Sequence, residues 1–224
     1  VYVPSHFRVD DLAELHATIG RIAFGTLVTT VRDAEDGQTL VASHVPMMVE
    51  PGGPFGILRG HLARANTQWR DTIPATPALT IFTGPDAYVT PSWYETKRET
   101  GRVVPTWNYV AVHARGIPTF FDDPERLHAL VEELTDVHES SREAPWHVDD
   151  APASYLRDQL KGIVGFEIPI ASLEGKWKLN QNRPLADRLG VAAGLRVEPS
   201  RPGDAALAEA MEATLPPRED PGGA

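Results

Sequence analysis

The chain has 224 residues, 42% of them hydrophobic, enough to bury a full core in one domain of barrel size. It has no cysteine, which excludes disulfides, thiolate nucleophiles and iron–sulfur clusters. The formal charge of −10, from 21 basic against 31 acidic residues with no basic cluster and no helix-turn-helix pattern, argues against direct DNA binding and otherwise describes a soluble surface.

No apolar run is long enough to span a bilayer, and the start Val1-Tyr2-Val3-Pro4-Ser5-His6 shows no signal-peptide pattern, so a cytoplasmic protein is expected. Asp10 is positioned to cap a short helix in which Leu12, Leu15 and Ile19 recur at helical spacing. Residues 22–31 and 39–49 then read as strands joined by the polar turn at 32–37, a hairpin signal. Further strands are predicted at 55–62, 78–83, 87–90, 109–121 and 162–170, each bounded by glycine or proline. Asp123-Pro124 starts a helix whose Leu127, Leu130, Val131, Leu134 and Val137 form one stripe, with His128 and His138 as surface groups. From about Pro199 the composition turns to Pro, Gly, Ala and Glu. Residues 1–198 therefore read as the domain, and 199–224 as a peripheral or mobile tail with one helix near 205–214.

Chemistry concentrates in Gly60-His61-Leu62-Ala63-Arg64-Ala65-Asn66-Thr67-Gln68-Trp69, where an apolar strand gives way to a polar turn. Alternation puts Arg59 and His61 on one face, with Leu58 and Leu62 on the other. A neutral imidazole there can ligate a metal or haem iron or hydrogen-bond a ring, and Arg64 can neutralise a carboxylate or phosphate. The plainer reading is a strand-end histidine bonded to a loop carbonyl. Zinc-protease, nucleophile-elbow, P-loop and Rossmann spacings are all absent.

That decapeptide, together with Gly84-Pro85-Asp86-Ala87-Tyr88-Val89-Thr90-Pro91-Ser92-Trp93-Tyr94, Val104-Pro105-Thr106-Trp107-Asn108-Tyr109-Val110-Ala111-Val112-His113 and Glu174-Gly175-Lys176-Trp177-Lys178-Leu179-Asn180-Gln181-Asn182, resembles the PaiB family from Tyr2 to about Leu195. The family is usually described as FMN-binding negative transcriptional regulators. The resemblance implies an α+β fold, the dimeric split β-barrel of flavin reductases and pyridoxamine-phosphate oxidases, with added peripheral helices. Its cofactor lies at the dimer interface, so a homodimer is implied. Some PaiB-like proteins carry haem instead, among them the piperazate synthases, which form a nitrogen–nitrogen bond in an N-hydroxylated ornithine.

Both cofactors have candidates in this sequence. Without cysteine, an axial haem ligand must be His, Tyr, Met or an oxygen donor, and His61 is the choice. His44, on the face of Ala42 and Met48, reads as a hydrogen-bonded core-edge residue lining the cofactor rather than a second iron ligand. FMN would want phosphate donors such as Arg64, Thr26, Thr29 or Lys178. Trp69, Trp93, Trp107 and Trp177 read either as core and interface anchors or as flat surfaces for a planar group beside Thr106, Asn108 and Gln181, with Asn66 also in the cofactor-binding set. The reading adopted is haem b, with FMN as the alternative. The expected reaction is dehydrative cyclisation of N5-hydroxyornithine to piperazic acid, with Tyr94, Lys161 and Lys178 as candidates for proton transfer. The alternatives are an FMN-binding PaiB-type regulator and a split-barrel flavin oxidoreductase.

Overall fold

The computed structural model describes residues 1–33 and 37–216; the middle of the turn read at 32–37 and the last eight residues of the tail lie outside them. A short strand β1 (Arg8–Val9) leads into helix α1 (Leu12–Ile22). Asp11, not Asp10, caps that helix, its Oδ1 accepting from Glu14 N at 3.0 Å. Ala23, left-handed at φ 53°, ends it, so the following strand starts at Phe24 rather than at residue 22.

Strands β2 (Phe24–Asp33), β3 (Gly37–Glu50) and β4 (Ile57–Ala63) follow, then a single turn α2 (Gln68–Asp71) and the long β5 (Ala78–Val89). Two strands, 78–83 and 87–90, are expected from the sequence where β5 is one. The strand instead continues, while its buried positions change phase from Ala78, Thr80 and Phe82 to Ala87 and Val89. That shift is the behaviour of a bulge and conceals the alternation on which a strand prediction depends. Next come α3 (Glu95–Thr100), β6 (Thr106–Gly116) and β7 (Thr119–Phe121). The one strand expected over 109–121 is split at Ile117-Pro118, where proline cannot donate to a ladder. The chain then forms α4 (Pro124–Glu139), α5 (Ala153–Leu160), β8 (Ile163–Pro169), β9 (Ser172–Lys178), α6 (Leu185–Val197) and α7 (Asp204–Glu212).

The chain divides into two compact units, one of residues 11–82 and 112–174, the other built from the remaining segments. In the first, strands run in the order β5-β2-β3-β4-β8-β7, each antiparallel to its neighbour. One face buries Leu27, Met47, Leu58, Leu62, Phe166 and Ile168. On the other, Phe121 of β7 clusters with Leu127, Leu130 and Leu134 of α4 and Leu160 of α5. Val137, expected in that stripe, is exposed.

In the second unit the order is β1-β9-β6-β5. Its helices bury Val191 and Leu195 of α6 with Leu207 and Met211 of α7. Asp204 starts α7, its Oδ2 accepting from Ser200 N and Arg201 N. The helix read near 205–214 is thus part of a packed core.

Candidate cofactor site

The unit of residues 11–82 and 112–174 holds the decapeptide. In β4, Leu58, Gly60 and Leu62 are buried on the core side, which turns Arg59 and His61 to the opposite face. Met48 lies opposite Arg59, so by alternation Pro46 and His44 of β3 share the face of His61. Gly165 of β8 pairs with His61 on one side and with Phe121 of β7 on the other. A Cβ at Gly165 would meet the Phe121 ring at 2.4 Å, so only glycine lets that ring close over the strand.

Burial pushes the His61 imidazole below the usual histidine pKa, which keeps the ring neutral at pH 7. Its Nδ1 is buried and has no hydrogen-bond partner among the described residues. A buried nitrogen left without a hydrogen-bond partner costs about 1–3 kcal/mol. The loop-carbonyl bond of the plainer reading is therefore not seen at that atom.

Beside it, β2 and β3 show an uncovered apolar surface. Phe24 is 58% and Leu40 70% exposed, on the same face as Ala42 and His44. The His44 ring stacks on Phe24 at 6.4 Å, and its Nδ1 bonds Thr26 Oγ1 at 3.0 Å. The sequence carried a signal for this face: Phe24 and Val28 are apolar on one side of β2, Leu27 and Val31 on the other. Strands apolar on both sides are ordinarily covered on both.

The other residues of the decapeptide are tied to protein groups. Arg64 donates through Nε to Lys161 O at 2.8 Å, through Nη2 to Ile163 O at 3.1 Å and through Nη1 to Asp122 at 3.2 Å. Asn66 donates to Ser43 Oγ at 2.8 Å and accepts from Gln68 N at 3.0 Å. Gln68, which sequence reading passed over, is buried and donates to Thr29 Oγ1 at 3.0 Å, while Ser43 donates to its Oε1 at 2.6 Å. Trp69 Nε1 donates to Arg64 O at 3.1 Å. Lys161 is exposed and pairs with Asp158 at 2.7 Å.

The second unit holds the remaining candidates. Tyr94 is buried, its hydroxyl accepting from Asn180 Nδ2 at 3.3 Å, and burial raises its pKa, so it stays protonated. Lys178 Nζ donates to Thr106 Oγ1 and Trp107 O; burial, then Lys176, lowers its pKa. Trp93 packs on α6, where a Cβ at Gly194 would meet its ring at 2.4 Å. Asn108 is fully buried, with Nδ2 3.5 Å from Met211 Sδ and Oδ1 unpartnered among the described residues. Gln181 clamps its own turn, accepting from Leu179 N at 2.8 Å and donating to Trp177 O at 2.7 Å. Trp107 is 47% exposed, with Tyr88 edge-on at 6.3 Å and the Arg201 guanidinium 5.2 Å from its ring.

Among the described residues no group of three or more His, Cys, Asp or Glu could hold a bare metal ion. A porphyrin carries four of its iron's ligands itself and asks the protein for one, which His61 can supply.

A family model described as "Putative FMN-binding domain" matches residues 1–172. A relative in Bacillus subtilis, "Protease synthase and sporulation protein PAI 2", is 36% identical over 218 residues, covering 96% of this chain and 98% of that protein. Among solved structures, the FAD and heme binding protein of Mycobacterium smegmatis superposes with a TM-score of 0.54 at 16% identity, over 76% of this chain and 73% of that one. The flavocytochrome Anf3 of Azotobacter vinelandii gives 0.53 at 10% identity, over 76% and 69%. At these identities the likeness bears on the fold alone, which is of the split-barrel kind and α+β, as the sequence indicated.

Proposed function

The chain belongs to the PaiB-like family described as a putative FMN-binding domain, and from that premise we propose that it binds haem through His61 and catalyses dehydrative N–N bond formation in an N-hydroxylated diamino acid. One observation carries the choice of cofactor. Thr26, Thr29 and Lys178, candidate phosphate donors for FMN, each have protein partners, and Arg64 has three while keeping spare N–H donors, whereas His61 Nδ1 is buried with no partner among the described residues. The exposed apolar face of Phe24 and Leu40 gives a planar ring system a surface to lie against.

Haem held by His61 would supply a Lewis acid toward the N–O bond of the substrate. The chain's own residues would hold the imidazole neutral, orient it through β4 and exclude water by the packing around Phe121. The substrate class rests on the family resemblance. In N5-hydroxyornithine the α-amine nitrogen bonds to N5 as the N–O bond breaks; the hydroxyl leaves with one amine proton as water, and no external reductant is needed. Of the three proton-transfer candidates, Lys161 belongs to the same compact unit as His61, where it is exposed and paired with Asp158. The uncovered β2–β3 face is also the surface we assign to a homodimer.

The test is product formation. Haem-loaded protein is expected to give piperazic acid by mass spectrometry without nicotinamide, above a free-haem control, and His61→Ala to abolish it. The second reading, an FMN-binding regulator or flavin oxidoreductase, is favoured by the family's description. It takes over if well-loaded protein gives no product while FMN confers nicotinamide oxidation.

A further inference from the structure

We propose that a pocket at the N-terminal end of α4 binds a small amphipathic carboxylate, with an anionic head and a hydrocarbon body. The pocket encloses 310 Å³, at the lower end of the range of about 300–1,000 Å³ that small organic ligands occupy. Its floor is Pro124, Leu127 and Leu160, the two leucines belonging to the α4–α5 apolar cluster. Arg64, Arg157 and Lys161 stand around it with Asp122.

The charges select the occupant. Of the residues lining the pocket three are cations and one, Asp122, is a carboxylate bonded by Arg64, while Lys161 bonds Asp158 outside the lining. Arg64 Nη1 and Nη2 each carry a second hydrogen beyond those given to Asp122 and Ile163 O, and Arg157 is exposed at the rim. The N-terminus of α4, a helix of 16 residues, is already capped by Asp123, whose Oδ1 accepts from Arg126 N, so the basic side chains are the donors left for an anion. A carboxylate therefore finds donors at the mouth and hydrocarbon beneath. An uncharged molecule gains only the second, and a polar anion only the first. The pocket is too small for a porphyrin or a flavin nucleotide, so its ligand is separate from the cofactor.

Octanoate and 1-octanol, which share a chain and differ in the head, are the probes for isothermal titration calorimetry on the full chain. Octanoate is expected to bind at one site, about tenfold tighter than octanol, as one charge-assisted contact provides. Arg157→Glu, an exposed substitution that leaves the core intact, is expected to weaken octanoate about tenfold and octanol hardly at all, and Lys161→Glu to do the same. Equal affinity for the two probes, no octanoate binding into the millimolar range, or octanoate binding unchanged in both variants would overturn the proposal. The last result would move the ligand to the exposed β2–β3 face. None of these readouts depends on haem or on turnover.

Discussion

Burial disfavours the charged form of His61, and its Nδ1 has no hydrogen-bond partner among the described residues. A base whose folded-state pKa is depressed stabilises the fold above its unfolded value, about 6.5 for histidine, and loses that contribution as pH falls through it toward the folded value. Thermal unfolding between pH 7.5 and 5.5 should therefore show a smaller loss of stability in His61→Gln than in the wild type. His113, also depressed mainly by burial, contributes to the slope in both proteins. Haem affinity should fall over the same window, because protonation competes for the ligand nitrogen. Arg64 behaves differently. Its guanidinium staples the end of β4 to Lys161 O and Ile163 O, so Arg64→Ala should cost about 1–3 kcal/mol in denaturant unfolding, whatever it does to a cofactor.

At the level of elements, α4 seals the sheet beside His61 through Leu127, Leu130 and Leu134, and Leu130→Ala should destabilise by about 2–5 kcal/mol in the same assay. This helix was legible in the sequence because Asp123-Pro124 is a strong start signal, borne out by Asp123 accepting from Arg126 N at 2.9 Å. The hairpin strands β2 and β3 and the site strand β4 were legible for the same kind of reason, a clear period of two. Several others were not, and three of them show why. In α6, Gly190 and Gly194 lower helix propensity; the backbone and ring of Trp93, which occupy the space their side chains would fill, require them. β9 places Glu174, Gly175 and Lys176 in a strand whose partners are distant in sequence, so no local pattern marks it. α5 follows Pro152 without a side-chain cap. At the site, residue types could be read but their partners could not: Arg64 and Asn66 looked available for a ligand because the groups they bond, Lys161 O, Ile163 O and Ser43, lie far along the chain or in another strand.

For the whole molecule, net charge is the relevant quantity. A chain of −10 with no basic cluster repels phosphate backbones, so gel-shift assays at physiological salt should show no sequence-selective DNA binding; tight selective binding would favour the regulator reading. Among the described residues no helix is long and apolar enough to cross a membrane. Large exposed apolar side chains on β2 and β3 should draw two chains together, so sedimentation should report about twice the 24.5 kDa chain mass, and Leu40→Lys should shift it toward the monomer. The most direct measurement of the central claim is a haem titration followed by absorption, run on the wild type and on His61→Ala, with FMN titrated in parallel. The wild type is expected to show a saturable haem band that His61→Ala moves or abolishes, with FMN binding weaker. Saturable FMN binding together with a haem band indifferent to His61 would contradict it.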